Sequence, residues 1–185
     1  PATGLPAFFS ERRIAAVAAA NRDVPRASIV PMVRAIGLLE RGDKSAAAQA
    51  LTEAVEAAPR LANWLTTLGE LQQQADDHTG ALKTYQRALK IRPDTLIALN
   101  NVAYVLALVL EKPAEAKPYA ERAVALAPRS GAILDTLAWI EHLLGNDERA
   151  AQLLDDAVRL TPKQAEIRLH AAIVYAGLNR WNEAD

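Results

Sequence analysis

Between Ala62 and Thr95, apolar residues recur every three or four positions in two blocks separated by a polar break. Leu65, Leu68, Gly69 and Leu71 mark the first block, Asp76–Asp77–His78 the break, and Ala81, Leu82, Tyr85, Ala88 and Leu89 the second. This spacing puts each apolar set on one face of a helix and predicts helices over 62–75 and 79–91. Pro93 stops the second, because proline lacks the N–H and drives the preceding residue out of the α region. The same alternation fits 28–61, 96–130 and 131–164.

These helix pairs keep time. Pro25, Pro59, Pro93, Pro128 and Pro162 are separated by 34, 34, 35 and 34 residues. Three columns of small residues keep the same interval: Ala20, Ala54, Ala88, Ala123, Ala157; Ala47, Ala81, Ala116, Ala150, Ala184; and Ala35, Gly69, Ala103, Ala138, Ala172. A fixed period in the range of ~20–50 residues is the signature of a repeat architecture. A generic alanine-rich bundle does not require a proline at every boundary. The columns have a mechanical reading: Gly69 in the first helix and Ala81 in the second face each other across a short turn, where larger side chains would force the helices apart. Gly42, Gly80 and Gly145 fall in or beside those turns, and Gly145 after Leu144 reads as a helix C-cap. The extra residue of the 35-residue interval lies between Ala103 and Ala116, and Pro113 there suits the first turn of the next helix.

The small pair Gly69/Ala81 with Tyr85, Ala88 and Pro93, echoed by Leu137, Ala138, Ala150, Leu154, Ala157 and Pro162, resembles the tetratricopeptide repeat family. The resemblance divides the chain into a segment 1–27 holding a remnant or cap of a preceding repeat, repeats at 28–61, 62–95, 96–130 (with the insertion) and 131–164, and a truncated repeat at 165–185. The first segment matches through Val17, Ala20 and Pro25, although Arg13 stands where a small residue belongs. Ala120 replaces the bulky residue seen at Tyr85, with Tyr119 as its expected compensation, and Arg34 stands where Leu68 and Leu137 lie. The implied fold is all-α, a right-handed α-α superhelix of helix-turn-helix repeats whose first helices line a concave, peptide-binding side.

Positions spaced i, i+4, i+7 on each first helix share that side. They are Thr66, Glu70 and Gln73, preceded by Asn63; Asn100, Tyr104 and Ala107; and Asp135, Trp139 and His142. Amides such as Asn100 can bond both N–H and C=O groups of a peptide, and Tyr104 and Trp139 offer apolar area with a polar tip. The competing expectation for the two aromatics is packing against neighbouring helices; Trp64, on another face, reads as structural or as an edge contact. These rows hold no Lys or Arg, so a clamp for a C-terminal carboxylate is not expected, and Glu70 and Asp135 point to a mildly acidic groove suited to basic or neutral ligands. In 28–61 the equivalent row, Ile29, Met32, Ile36 and Leu39, is apolar, and it predicts cover by Phe8–Phe9, a partner or a second copy of the chain. Leu169 and Ile173 make the last row apolar too.

Composition narrows the remaining classes. Alanine is about a fifth of the 185 residues, which favours helices in close approach. The net charge of −1 argues against nucleic-acid binding through a basic field. Cysteine is absent, which removes disulfides, thiolate metal sites and thiol nucleophiles. The longest apolar run, Val102–Leu110, is shorter than the ~20 residues that span a bilayer, so direct membrane insertion is not expected. No phosphate loop, nucleophile elbow or zinc-type His pair is present. His78, His142 and His170 are scattered, metal binding by the latter two would need a carboxylate such as Asp135, and they read instead as solvated or groove-lining. Asp76–Asp77 and Asp155–Asp156 read as turn and surface residues. No cofactor is expected.

The chain, which begins without Met and stops inside a repeat, reads as a fragment of cytoplasmic or periplasmic origin. The expected function is a non-enzymatic scaffold that binds a peptide or protein partner. Alternatives are self-assembly of a homo-oligomer through the apolar end repeats, and an interaction domain of a larger protein whose chemistry lies elsewhere. The segments Ala98–Tyr104, Leu134–Ile140 and Ile167–His170 are similar to those of bacterial repeat proteins of envelope export and exopolysaccharide secretion.

Overall fold

The computed structural model describes residues 11–20, 22 and 24–178. All regular structure among them is helical: α1 (Glu11–Ala20), α2 (Arg26–Glu40), α3 (Lys44–Ala57), α4 (Ala62–Gln74), α5 (His78–Ile91), α6 (Leu96–Tyr104) running into a π-helical segment (Val105–Val109), α7 (Pro113–Leu126), α8 (Gly131–Leu143), α9 (Asp147–Leu160) and α10 (Ala165–Gly177). The chain divides into two compact units between Pro93 and Asp94. In the first, α1 packs on α2, α2 pairs with α3, α4 pairs with α5, and α3 joins the pairs. In the second, α6 pairs with α7 and α8 with α9, while α7 meets α8 and α10 meets both α8 and α9.

Each second helix ends two residues before one of the periodic prolines: Ala57 before Pro59, Ile91 before Pro93, Leu126 before Pro128, Leu160 before Pro162. The turns within pairs also repeat. Gly42 and Gly145 take φ of +77° and +78°, and at the same place in the other two pairs Asp76 and Glu111 take +60° and +55°. After α8, Gly145 N–H donates to the His142 carbonyl and Asn146 N–H to that of Glu141, which satisfies the last orphan carbonyls of the helix. Gly42 and Asp43 do the same on Leu39 and Leu38, and Asp76 and Asp77 on Gln73 and Gln72. Asp76 and Glu111 hold a conformation costing an L-residue ~1–2 kcal/mol, which the shared turn geometry imposes. The next residue then starts the second helix, and Asp43 and Asp77 cap it by accepting from Ala46 and Gly80 N–H.

The small columns are the spine of each pair. Ala47, Ala81, Ala116 and Ala150 are fully buried, as are Ala35, Ala103 and Ala138. At Gly69 the fit is tight: an added Cβ would lie 2.5 Å from the Tyr85 ring, which would have to shift. Tyr85 is itself fully buried, and its hydroxyl donates to Gln73 Oε1 at 3.2 Å. The residues in the Tyr85 column of the other pairs are Leu51, Ala120 and Leu154, all smaller, and there the facing position is Ala.

The extra residue of the 35-residue interval is taken up where α6 becomes π-helical. Leu110 N–H donates to the Val105 carbonyl, five residues back, and Lys112 N–H to that of Leu106. A π turn absorbs one residue without breaking the helix. It also changes which side chains share a face: Ala107, expected beside Tyr104, is buried, and Leu108 takes its place.

The cover expected for the apolar row of α2 is present in part. Ile29 and Met32 are buried, and with Val33 and Ala54 they form a cluster on which Ile14, Val17, Ala18, Val24, Leu61 and Trp64 pack. α1 supplies three of those residues, so part of the cover comes from the chain itself; Ile36 and Leu39 remain partly exposed. Trp64 is a structural residue of this cluster. The side chains of Arg13 and Ala20, and the positions Phe8, Phe9 and Ala184, lie outside the described residues.

Candidate functional site

In the first unit, the row expected on α4 is largely occupied with its own structure. Thr66 is buried, and its hydroxyl donates to the Asn63 carbonyl at 2.6 Å. Asn63 Oδ1 accepts from Arg92 at 3.1 Å, and Gln73 receives the Tyr85 hydroxyl. Glu70 is partly buried, and loss of solvent raises its carboxyl pKa above the usual value. Thr66 and Gln73 therefore act as internal hydrogen-bond partners, which spacing alone does not reveal.

In the second unit, the first helices α6, α8 and α10 bring Asn100, Tyr104, Leu108, Asp135, Trp139, Glu166 and His170 around one cavity of about 170 Å³, completed by Ala132, Thr136 and Gln164. Four of the residues expected from spacing, Asn100, Tyr104, Asp135 and Trp139, meet here. Asp135 is 8% exposed, and its Oδ1 accepts from His170 Nδ1 at 2.8 Å. The Trp139 ring stacks on His170 with centroids 4.2 Å apart and planes 26° apart. Tyr104 is exposed. Asn100 Oδ1 is buried yet accepts no hydrogen bond from the protein, which is costly unless a ligand or solvent supplies a donor.

The bond to Asp135 raises the His170 pKa above its ordinary value; partial burial opposes the shift, and the charges of Asp135 and Glu166 add to it. His142, expected in this row, lies to one side. Its ring tilts against Trp139 at 4.9 Å, and its Nδ1 meets Asp147 Oδ1 at 2.6 Å, at the start of α9. The sequence offers His170 as solvated or groove-lining and Asp135 as a candidate neighbour, but their direct bond spans 35 residues and depends on α10 packing against α8. Among the described residues no group of three or more His, Cys, Asp or Glu is arranged to hold a metal, and no helix is long and apolar enough to cross a membrane.

The sequence profile of the tetratricopeptide repeat family matches residues 32–95 and 105–165. A TPR repeat-containing protein of Pseudomonas aeruginosa is 28% identical over 139 residues, 75% of this chain but 23% of that relative, so the chain spans less than a quarter of its length. Among solved structures, MamA of Desulfovibrio magneticus superposes with a TM-score of 0.78 at 20% identity, covering 87% of this chain and 90% of that one. YrrB, described as a TPR protein with an unusual peptide-binding site, superposes with a TM-score of 0.73 at 19% identity over 92% of this chain and 86% of that one. With helix pairs, small-residue columns and boundary prolines all on the family's period, this chain belongs to the tetratricopeptide repeat family.

Proposed function

We propose that this chain is a non-enzymatic protein-interaction scaffold, and that the first-helix face of its second unit binds a peptide segment of a partner. The observation that carries this reading is the Asn100 acceptor, buried and unmatched in a cavity walled by Tyr104 and Trp139. A peptide N–H would satisfy it, while the two rings supply the aromatic contact that dominates many interfaces. The peptide-binding site of the structurally similar YrrB supports the same reading. His142 of the second unit, beside Trp139, is proposed as a flanking contact; Asn63 and Glu70 are proposed as ligand contacts of the first unit by itself.

The test is a random hexapeptide library displayed on phage and panned against the wild-type chain and the Tyr104→Ala/Trp139→Ala variant. Wild type should enrich a peptide family that the variant, with unchanged helicity, fails to retain. Equal enrichment by both would remove the cavity from the function. Leu169 and Ile173, exposed on α10, favour self-association as a second reading. Light scattering should then show a mass that rises with concentration in wild type and not in Leu169→Glu; a constant monomer mass in wild type ends that reading.

A further inference from the structure

Resting on the peptide-binding reading, we infer that the cavity of the second unit selects a basic side chain, the guanidinium of an arginine or the ammonium of a lysine in the bound segment. Its walls are complementary to a cation in three independent respects. The buried Asn100 Oδ1 can only accept. Asp135 lies in the wall and Glu166 at the rim, and no Lys or Arg lines the space. Tyr104 and Trp139 line the space, and aromatic rings attract a cation through the ring quadrupole, as the stacking of Trp139 on His170 illustrates. The volume of about 170 Å³ is below the ~300–1,000 Å³ of pockets that take whole small ligands, which suits the head of one side chain.

Other occupants fit less well. A carboxylate would meet Asp135 and Glu166, and the nearest positive group, His170, is already engaged by Asp135. An apolar side chain would leave the buried Asn100 Oδ1 without a donor.

His170 adds a pH dependence. The charged groups facing it are Asp135 on α8 and Glu166 on its own helix. Through the Trp139 ring it also neighbours His142, which is held by Asp147 of α9. From α6 and the π-helical segment the lining groups are Asn100, Tyr104 and Leu108, with no Asp, Glu, Lys, Arg or His among them. When His170 is an imidazolium it neutralises Asp135; when it loses its proton, the carboxylate charge is free to meet the ligand. Binding of a basic side chain therefore strengthens as pH rises through the His170 titration, and basic ligand and proton compete.

The experiment uses hexapeptide pools randomised at five positions, with the remaining one fixed as arginine, lysine, citrulline, norleucine or glutamate. They are titrated against the immobilised chain at about pH 6 and pH 8. Arginine or lysine pools should bind ~tenfold more tightly than citrulline or norleucine pools, glutamate pools should be weakest, and the advantage should shrink at the lower pH. Asp135→Asn, nearly isosteric, should abolish the preference for arginine over citrulline while helicity is retained. Equal binding of arginine and citrulline pools, preference for glutamate, or no saturable binding by any pool overturns the inference. If pools bind through Tyr104 and Trp139 without charge preference, peptide binding stands and the basic-side-chain assignment falls. A preference that survives Asp135→Asn also overturns it.

Discussion

The first helices α4 and α6 sit at the same place in the repeat and spend their polar groups in opposite ways. On α4, Thr66 bonds the backbone, Asn63 meets Arg92, and Gln73 receives the hydroxyl of Tyr85. That hydroxyl exists only because Gly69 leaves room for the ring. On α6 the facing pair is Ala103 and Ala120, no phenol reaches the helix from that column, and the helix loosens into a π turn that brings Leu108 beside Tyr104. Asn100 is left with an unmatched acceptor at a cavity. On α4 three polar groups, Asn63, Thr66 and Gln73, are bonded internally, although Gln72 Oε1 beside them is buried without a partner; on α6 it is Asn100 Oδ1 that lacks a donor. The family's pattern specifies how helices pack, and single departures from it decide which faces remain available.

Four variants would break or sharpen this contrast. Tyr85→Ala should have the largest effect, because it empties a fully buried site and releases Gln73: a loss of ~3–5 kcal/mol by urea unfolding, by analogy with other buried aromatics. A loss below ~1 kcal/mol would mean that the Gly69–Tyr85 lock does not distinguish the pairs. Gly69→Ala comes next. Its Cβ clashes with the ring, and overpacking of this kind costs ~1–3 kcal/mol, reduced by alanine's helix preference of ~1 kcal/mol. Adding Tyr85→Leu recreates the Ala138/Leu154 combination of α8 and α9 and should recover stability relative to Gly69→Ala alone; no recovery would refute the pairing logic.

The smallest effect is expected for Asp135→Asn. Because the folded-state pKa of His170 is raised, the bond with Asp135 contributes stability that is fully present below the unfolded pKa of ~6.5 and lost as pH rises through the folded value. The substitution should therefore cost most near pH ~5.5, on the scale of a partly screened ion pair, under ~1 kcal/mol. The gap to wild type should narrow toward pH ~8. An NMR titration should show the His170 pKa falling in the variant; an unchanged value would detach His170 from Asp135.

Much of the packing was legible because packing is periodic. The prolines, small columns and three-and-four spacing act through near neighbours in sequence, so position along the chain carries the information. The insertion could be bracketed between Ala103 and Ala116 by counting, but the form it takes, a π turn that buries Ala107 and turns Leu108 to the cavity, depends on hydrogen bonds that counting cannot see. The row Ile29–Met32 called for cover, but nothing local specifies that Ile14, Val17 and Ala18 of α1 supply part of it. Thr66 and Gln73 shared the right face with Glu70, yet their partners lie on the backbone and on the next helix.

The sequence by itself determined the class of fold, the repeat interval, the helix boundaries near each proline and the face on which Asn100, Tyr104, Asp135 and Trp139 stand, since all of these follow from the pitch of a helix and the stiffness of proline. Tertiary structure alone decided which acceptors on that face are already satisfied, that His170 closes on Asp135, and that α1 packs on the cluster holding Ile29 and Met32. Those outcomes turn on side chains from different helices meeting within hydrogen-bond or van der Waals range, and no periodicity along one strand of sequence encodes which of them arrive.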